Sequence, residues 1–174
     1  VLPEEQFVSS SPATASPRFR ADDAGDKEGN AVTVAAILGQ KSYSVITTQA
    51  GETLQSVCAL LALHRIGAVV VTDGSDGISG ILSERDIVKA VARDGVTALD
   101  RPTSDYMTRA VKTCTPSDTI ADVMARMTEG RFRHLPVVEG GRLIGVVSIG
   151  DVVKQRIAAA EQEAEMMRTY IQMV

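Results

Sequence analysis

Hydrophobic positions recur along this chain in two alternating rhythms, and the rhythms occur twice. Leu54, Val57, Cys58 and Leu61 fall at helical spacing, as do Ile120, Val123, Met124 and Met127, so each set predicts a helix with one buried face. Short β-branched runs follow in each case, over 68–72 and 78–82 and again over 135–138 and 143–147, separated by Gly-rich turns. These predict pairs of strands. A further helix is expected from Ser83 and from Ser148, so each half reads helix, strand, strand, helix. Thr115-Pro116-Ser117-Asp118 carries the signature of a helix start, with Thr115 as N-cap and Pro116 in the first turn. Gly67 and Gly130 are placed to end the two preceding helices.

The two halves align by residue. The segment from Gly80 to Lys89 lies over that from Gly145 to Lys154 at a constant offset of 65, with five of ten positions identical, and Thr53-Leu54 lies over Thr119-Ile120 at an offset of 66. The one-residue difference falls in the turn between the strands, where a length change is tolerated. The last helix departs from its counterpart. Val153, Ile157, Ala160, Ala164, Met167, Ile171 and Val174 recur at alternating steps of four and three, a heptad seam suited to a contact with another helix. Such a stripe fits an oligomer contact, or a helix folded back on its own chain.

Composition narrows the function. In 174 residues, 44% are apolar but only 3% aromatic, so the core must be aliphatic, and the net charge of −4 supplies no field for a polyphosphate backbone. Nucleic acid is disfavoured as a partner. The longest apolar run, Val57 to Leu63, is too short to span a bilayer, and two separated cysteines give neither a disulfide framework nor a thiolate metal site. A cytoplasmic chain with no membrane partner is expected. Residues 1–30, rich in Ser, Pro and Asp, are expected to be a flexible tail. No phosphate-binding Gly-Lys loop, nucleophile elbow or clustered metal-ligand set is present, so neither catalytic nor metal residues are assigned.

One pair of residues carries candidate chemistry. Ser83/Asp86 and Ser148/Asp151 each stand directly after a strand and before a helix. As a capping box the pair has a purely structural role. The same junction also offers a hydroxyl, a carboxylate and exposed amides at a helix start, a group suited to a sugar diol with a phosphate nearby.

With the segments 65–71, 80–86, 131–138 and 145–151 in the same order, the chain resembles a tandem pair of CBS domains, named after cystathionine β-synthase, over about residues 31–157. The C-terminal helix is similar to that of small stand-alone bacterial members. The resemblance implies an α/β fold in which two CBS repeats pack through their sheets with pseudo-twofold symmetry, here as a tail (1–30), repeat 1 (31–95), repeat 2 (96–157) and a helical extension (158–174). It implies a non-catalytic, energy-sensing regulatory module that binds adenosyl ligands such as AMP, ADP, ATP, NAD(H) or S-adenosylmethionine, with AMP or NAD(H) favoured. A homodimer through the CBS faces and the last helix is expected. By position, Asp86 and Asp151 would hold ribose hydroxyls beside Ser83 and Ser148. Thr47 and Thr113, each taken to follow a first strand, would line adenine pockets with Ala68 and Pro136, and Arg133, His134, Arg85 and Lys41 would meet phosphates. Because Arg85 aligns with Gly150, and Arg133-His134 with Gly67-Ala68, the two clefts should differ in phosphate affinity. A ligand-free dimerisation scaffold is the alternative.

Overall fold

The computed structural model describes residues 32–40, 45–74 and 77–172. The expected tail over 1–30 and Lys41 lie outside them. In order along the chain come α1 (Val34–Gly39), β1 (Thr47–Gln49), α2 (Leu54–His64), β2 (Ala68–Thr72), β3 (Ile78–Ser83) and α3 (Glu84–Asp94). Two 3-10 turns follow, Val96–Asp100 and Thr103–Asp105, and then α4 (Ile120–Gly130), β4 (His134–Glu139), β5 (Arg142–Ser148) and α5 (Ile149–Gln172).

Each repeat is built on an antiparallel hairpin. In the first, β2 pairs with β3, and β1 adds to β2 in parallel with Thr48 opposite Val71. In the second, β4 pairs with β5, while Cys114 alone bridges Val137 in the place that β1 holds in the first sheet. Both hairpins carry an irregularity at the equivalent step, Val71/Thr72 and Val137/Val138. The middle strands are buried on both faces, which is why they read as continuous apolar runs rather than alternating ones. Cys114 is buried, and that burial, reinforced by Asp118, pushes its thiol up to about 11.

The helix starts show where local sequence misleads. Thr115 does not cap α4. Thr119 does, its hydroxyl accepting from the Asp122 amide at 3.1 Å, as Thr53 accepts from Ser56 at 3.2 Å for α2. The Thr115–Asp118 stretch forms a turn, with the Asp118 carboxylate accepting from the Thr115 amide at 2.8 Å. The carbonyls of Pro116 and Asp118 accept from Ala35 and Val34 of α1, so they are not available to begin a helix. The ends of α2 and α4 differ from expectation as well. The left-handed residues there are Arg65 (φ 52°) and Arg131 (φ 53°), not glycines. Each closes a Schellman motif: Arg65 and Ile66 donate to Ala62 and Leu61, and Arg131 and Phe132 donate to Thr128 and Met127. Gly130 is required for another reason, since a side chain there would strike the Phe132 ring.

Core membership cuts across chain order. Val34 and Ile37 of α1 are buried with Ile120, Val123, Met127, Leu135, Val137, Val147 and Val152 of the second repeat. Ala98 and Met107, which follow α3, are buried with Leu54, Val57, Leu61, Val69 and Leu82 of the first. Backbone bonds repeat the exchange in matched pairs. Ile120 donates to Val32 as Leu54 donates to Arg101, and Val34 donates to Asp118 as Thr103 donates to Glu52. Gly145 lacks a side chain where Leu38 packs, as Gly80 does where Met107 packs; a Cβ would stand 2.6 Å from the nearest atom in either case. Each repeat is thus completed by the segment that precedes the other.

Candidate functional site

Two clefts open where the repeats meet. Ala68 of β2 pairs with Ser83 of β3, and His134 of β4 with Ser148 of β5, so each hairpin brings its open end to a serine that starts the next helix. The junctions are fixed alike: Glu84 donates to Gly67 at 3.0 Å and Ile149 to Arg133 at 2.8 Å. The repeats abut closely here, because a Cβ on Gly67 would lie 3.0 Å from His134 Cε1. Arg85 reaches from the first repeat to the second, donating to the Arg131 carbonyl at 3.1 Å.

Both serines and both aspartates form the capping geometry. Asp86 Oδ2 accepts from the Ser83 amide at 2.9 Å and from its hydroxyl at 2.6 Å; Asp151 Oδ2 accepts from Ser148 at 2.9 and 2.7 Å. One carboxylate oxygen therefore serves the helix start in each repeat. The other oxygen of Asp86, Oδ1, makes no hydrogen bond among the described residues and belongs to a side chain lining the first cleft.

The first cleft encloses about 540 Å³ and includes Ser83, Asp86 and Ala68 with Arg85, Arg133 and His134. The second encloses about 380 Å³ and includes Ser148 and Asp151 with Ala68 and His134. The linings correspond under the repeat, with Val45, Ile46, Arg65 and Ile66 in the second standing where Val111, Lys112, Arg131 and Phe132 stand in the first. Their charge does not correspond. Among the described residues, Arg85, Lys89, Lys112, Arg131 and Arg133 face two carboxylates, Glu84 and Asp86, in the first cleft, and Arg65 faces Asp151 in the second. His134, Ala68, Gly67 and Ser148 border both.

Three expected positions fall elsewhere. Thr47 opens β1 rather than following it, Thr113 lies in no strand, and both are exposed outside the two linings. Pro136 is buried in β4, where its carbonyl accepts from the Cys114 amide at 3.0 Å. Sequence reasoning missed Lys89, Lys112 and Arg131. Arg131 could have been found from the repeated Arg65-Ile66 and Arg131-Phe132 pairs, whereas the two lysines carry no local signal. Among the described residues, no group of three or more His, Cys, Asp or Glu could hold a metal, and no helix is long and apolar enough to cross a membrane.

Comparison with known proteins accords with this architecture. The CBS domain family matches residues 40–93 and 104–157. The solved CBS-domain containing protein ATU1752 from Agrobacterium tumefaciens is 45% identical with a TM-score of 0.70, covering 72% of this chain and 99% of that one. The CBS domain-containing protein CBSCBSPB2 of Arabidopsis thaliana is 33% identical over 120 residues, 69% of this chain, which spans 22% of that relative's length. The CBS domain pair of protein MJ0100, solved in complex with 5-methylthioadenosine and S-adenosyl-L-methionine, shares the fold at 24% identity and a TM-score of 0.67, covering 75% of this chain and 99% of that one. Two hairpins completed by exchanged segments, two related clefts and a family match over both repeats have one reading: the chain belongs to the CBS-domain family, as a tandem pair.

Proposed function

We propose that this chain is a non-catalytic regulatory module that takes an adenosyl nucleotide in the clefts between its CBS repeats and passes occupancy on through a self-paired assembly. The observation that carries the reading is the first cleft itself. A carboxylate with one uncommitted oxygen, Asp86 Oδ1, sits in the same cavity as five cationic side chains. A ribose diol can donate to that oxygen. A phosphate on the same sugar would then fall among Arg85, Lys89, Lys112, Arg131 and Arg133, where charge-assisted hydrogen bonds are strongest. Among its described residues the second cleft has a carboxylate and a single cationic side chain, Arg65, so these residues suit an uncharged adenosyl group better than a phosphorylated one. AMP or NAD(H) is the ligand class this asymmetry favours for the first cleft. That a pair of this fold can hold adenosyl compounds is stated for MJ0100.

Arg85 gives the first cleft a means of sensing how the repeats are packed. It lines the first cleft while donating to the Arg131 carbonyl of the other repeat. A phosphate competing for Arg85 would loosen that tie, and a ligand can shift the packing only by as much as it prefers one arrangement. Cytoplasmic placement and a role in energy sensing belong to the same reading.

A thermal-shift panel with AMP, NADH, S-adenosylmethionine and adenosine tests it. Ligand at a hundred times its dissociation constant stabilises the folded state by about 2.7 kcal/mol, so at least one compound should raise the melting temperature by several degrees. No shift with any of them at millimolar concentration would leave the caps with a structural role alone, and the module would be a scaffold.

A further inference from the structure

Among the described residues, the distal part of α5 has no packing partner in its own chain. From Ala160 to Gln172 its side chains are all exposed, and the seam residues Val153, Ile157, Met167 and Ile171 are exposed as well, Ile171 at 69%. The helix faces the rest of the chain through Val152, with Gln155 tied to Gln40 at 2.8 Å, on a side turned away from the seam. The seam is therefore open, and the back-folded alternative does not describe these residues.

From this seam, we infer that α5 pairs with the α5 of a second copy as a parallel, in-register two-stranded coiled coil. The inference rests on the self-pairing in the reading above but not on the ligand. The charges beside the seam decide the orientation. With Ile157, Ala164 and Ile171 at the a positions and Val153, Ala160 and Met167 at d, the g positions are Arg156 and Glu163, and the e positions are Lys154, Glu161 and Arg168. In a parallel pair each g residue meets the partner's following e residue. Arg156 then meets the partner's Glu161, and Glu163 meets the partner's Arg168, so all four such contacts in the dimer are attractive. β-Branched Ile157 and Ile171 at a also favour two parallel strands.

The fully overlapped antiparallel pair uses the same six layers but sets Glu161 against the partner's Glu161, Glu163 against the partner's Glu163, and Lys154 against the partner's Arg168. Like charges at these positions oppose association. Antiparallel registers shifted by a heptad recover attractive pairs while keeping only four layers among the described residues. Among the described residues, Arg168 is held within its own helix by one exposed contact, with Glu165 at 3.3 Å, so turning it to a partner costs little.

The test uses the full chain carrying Cys58→Ser, with the buried Cys114 left in place. Light scattering should give twice the 18.5 kDa chain mass at micromolar concentration. Added Ala164→Cys should oxidise to a covalent dimer, since the a positions face each other only in the parallel arrangement. Glu163→Arg should raise the dimer dissociation constant about tenfold by setting arginine against the partner's Arg168, and Glu163→Arg with Arg168→Glu should restore it. A monomer would overturn self-pairing and the coiled coil together. A dimer in which Ala164→Cys fails to cross-link, or in which charge reversal has no effect, would overturn the coiled coil alone. Nucleotide-induced thermal shifts report separately on the clefts.

Discussion

Replacing Ile37 with Ala should loosen the far half of the chain rather than the half to which it is adjacent in sequence. Ile37 is 2% exposed and, with Val34, anchors a six-residue helix to the second core. So short a helix has no stability of its own. Among the described residues, its attachment depends on those two side chains and on backbone hydrogen bonds from Val34 to Asp118, from Ala35 to Pro116 and from Ile120 to Val32. Removing three buried carbons from an Ile costs about 2–5 kcal/mol, and at about 1.4 kcal/mol per decade a loss near 3 kcal/mol raises the undocked population roughly a hundredfold. Hydrogen exchange followed by mass spectrometry reads this directly, because local opening sets the exchange rate. Amides of β4, β5 and the start of α4 should exchange about a hundredfold faster, while those of β2 and β3 keep their protection. Met107→Ala should give the converse pattern, since Met107 packs in the first core. Unchanged protection in β4 and β5, or equal loosening of both hairpins by Ile37→Ala, would refute the exchange of segments.

Other perturbations have defined outcomes. Gly80→Ala should cost more than Gly145→Ala in urea unfolding followed by circular dichroism. The new Cβ at 80 meets backbone, Thr108 O at 3.1 Å, as well as Met107, whereas at 145 its nearest neighbour is the movable end of Leu38; overpacking of this kind costs about 1–3 kcal/mol. Arg65→Gly should relieve about 1–2 kcal/mol of left-handed strain against about 0.5–1 kcal/mol of added chain entropy, for a net stabilisation of at most about 1.5 kcal/mol seen as a small rise in Tm. Cys58, half-buried, should react with a thiol reagent well before the buried Cys114 in the native chain. Since Cys114 holds its proton up to about 11 when folded and an unfolded thiol loses it near 9, its contribution is intact below pH 9. It is lost as pH rises through 11, by about 2–3 kcal/mol, and Cys114→Ala should flatten that part of the pH–stability curve.

The repeat was legible because its signals are local and duplicated. Thr53 and Thr119 cap, Ser83/Asp86 and Ser148/Asp151 form the same box, and the strands between them are short apolar runs rich in Val and Ile. What was not legible depends on pairing across distance. The segments around Val34 and Thr103 share no sequence, yet both donate to equivalent carbonyls, Asp118 and Glu52. Their kinship lies in backbone geometry alone. The misassigned start of α4 has the same origin, because the carbonyls of Pro116 and Asp118 are claimed by a helix some eighty residues earlier. Gly67 and Gly130 drew the helix ends toward themselves, although arginines adopt the left-handed backbone where Ile66 and Phe132 close the motif. The cations of the first cleft come from α3, from the chain before Cys114 and from the end of α4, so their convergence required the fold.

Titration calorimetry with AMP on the wild-type chain, Asp86→Asn and Asp151→Asn bears most directly on the unequal clefts. Asparagine can still accept from the Ser83 or Ser148 amide, so the helix starts survive while the charge is lost. A hydrogen bond to a charged group contributes about 1.5–3 kcal/mol, so Asp86→Asn should weaken AMP about ten- to a hundredfold and Asp151→Asn should leave the tight site nearly intact. Equal loss in both variants, or undiminished AMP affinity in a folded Asp86→Asn chain, would contradict a phosphate-bearing nucleotide held at Asp86.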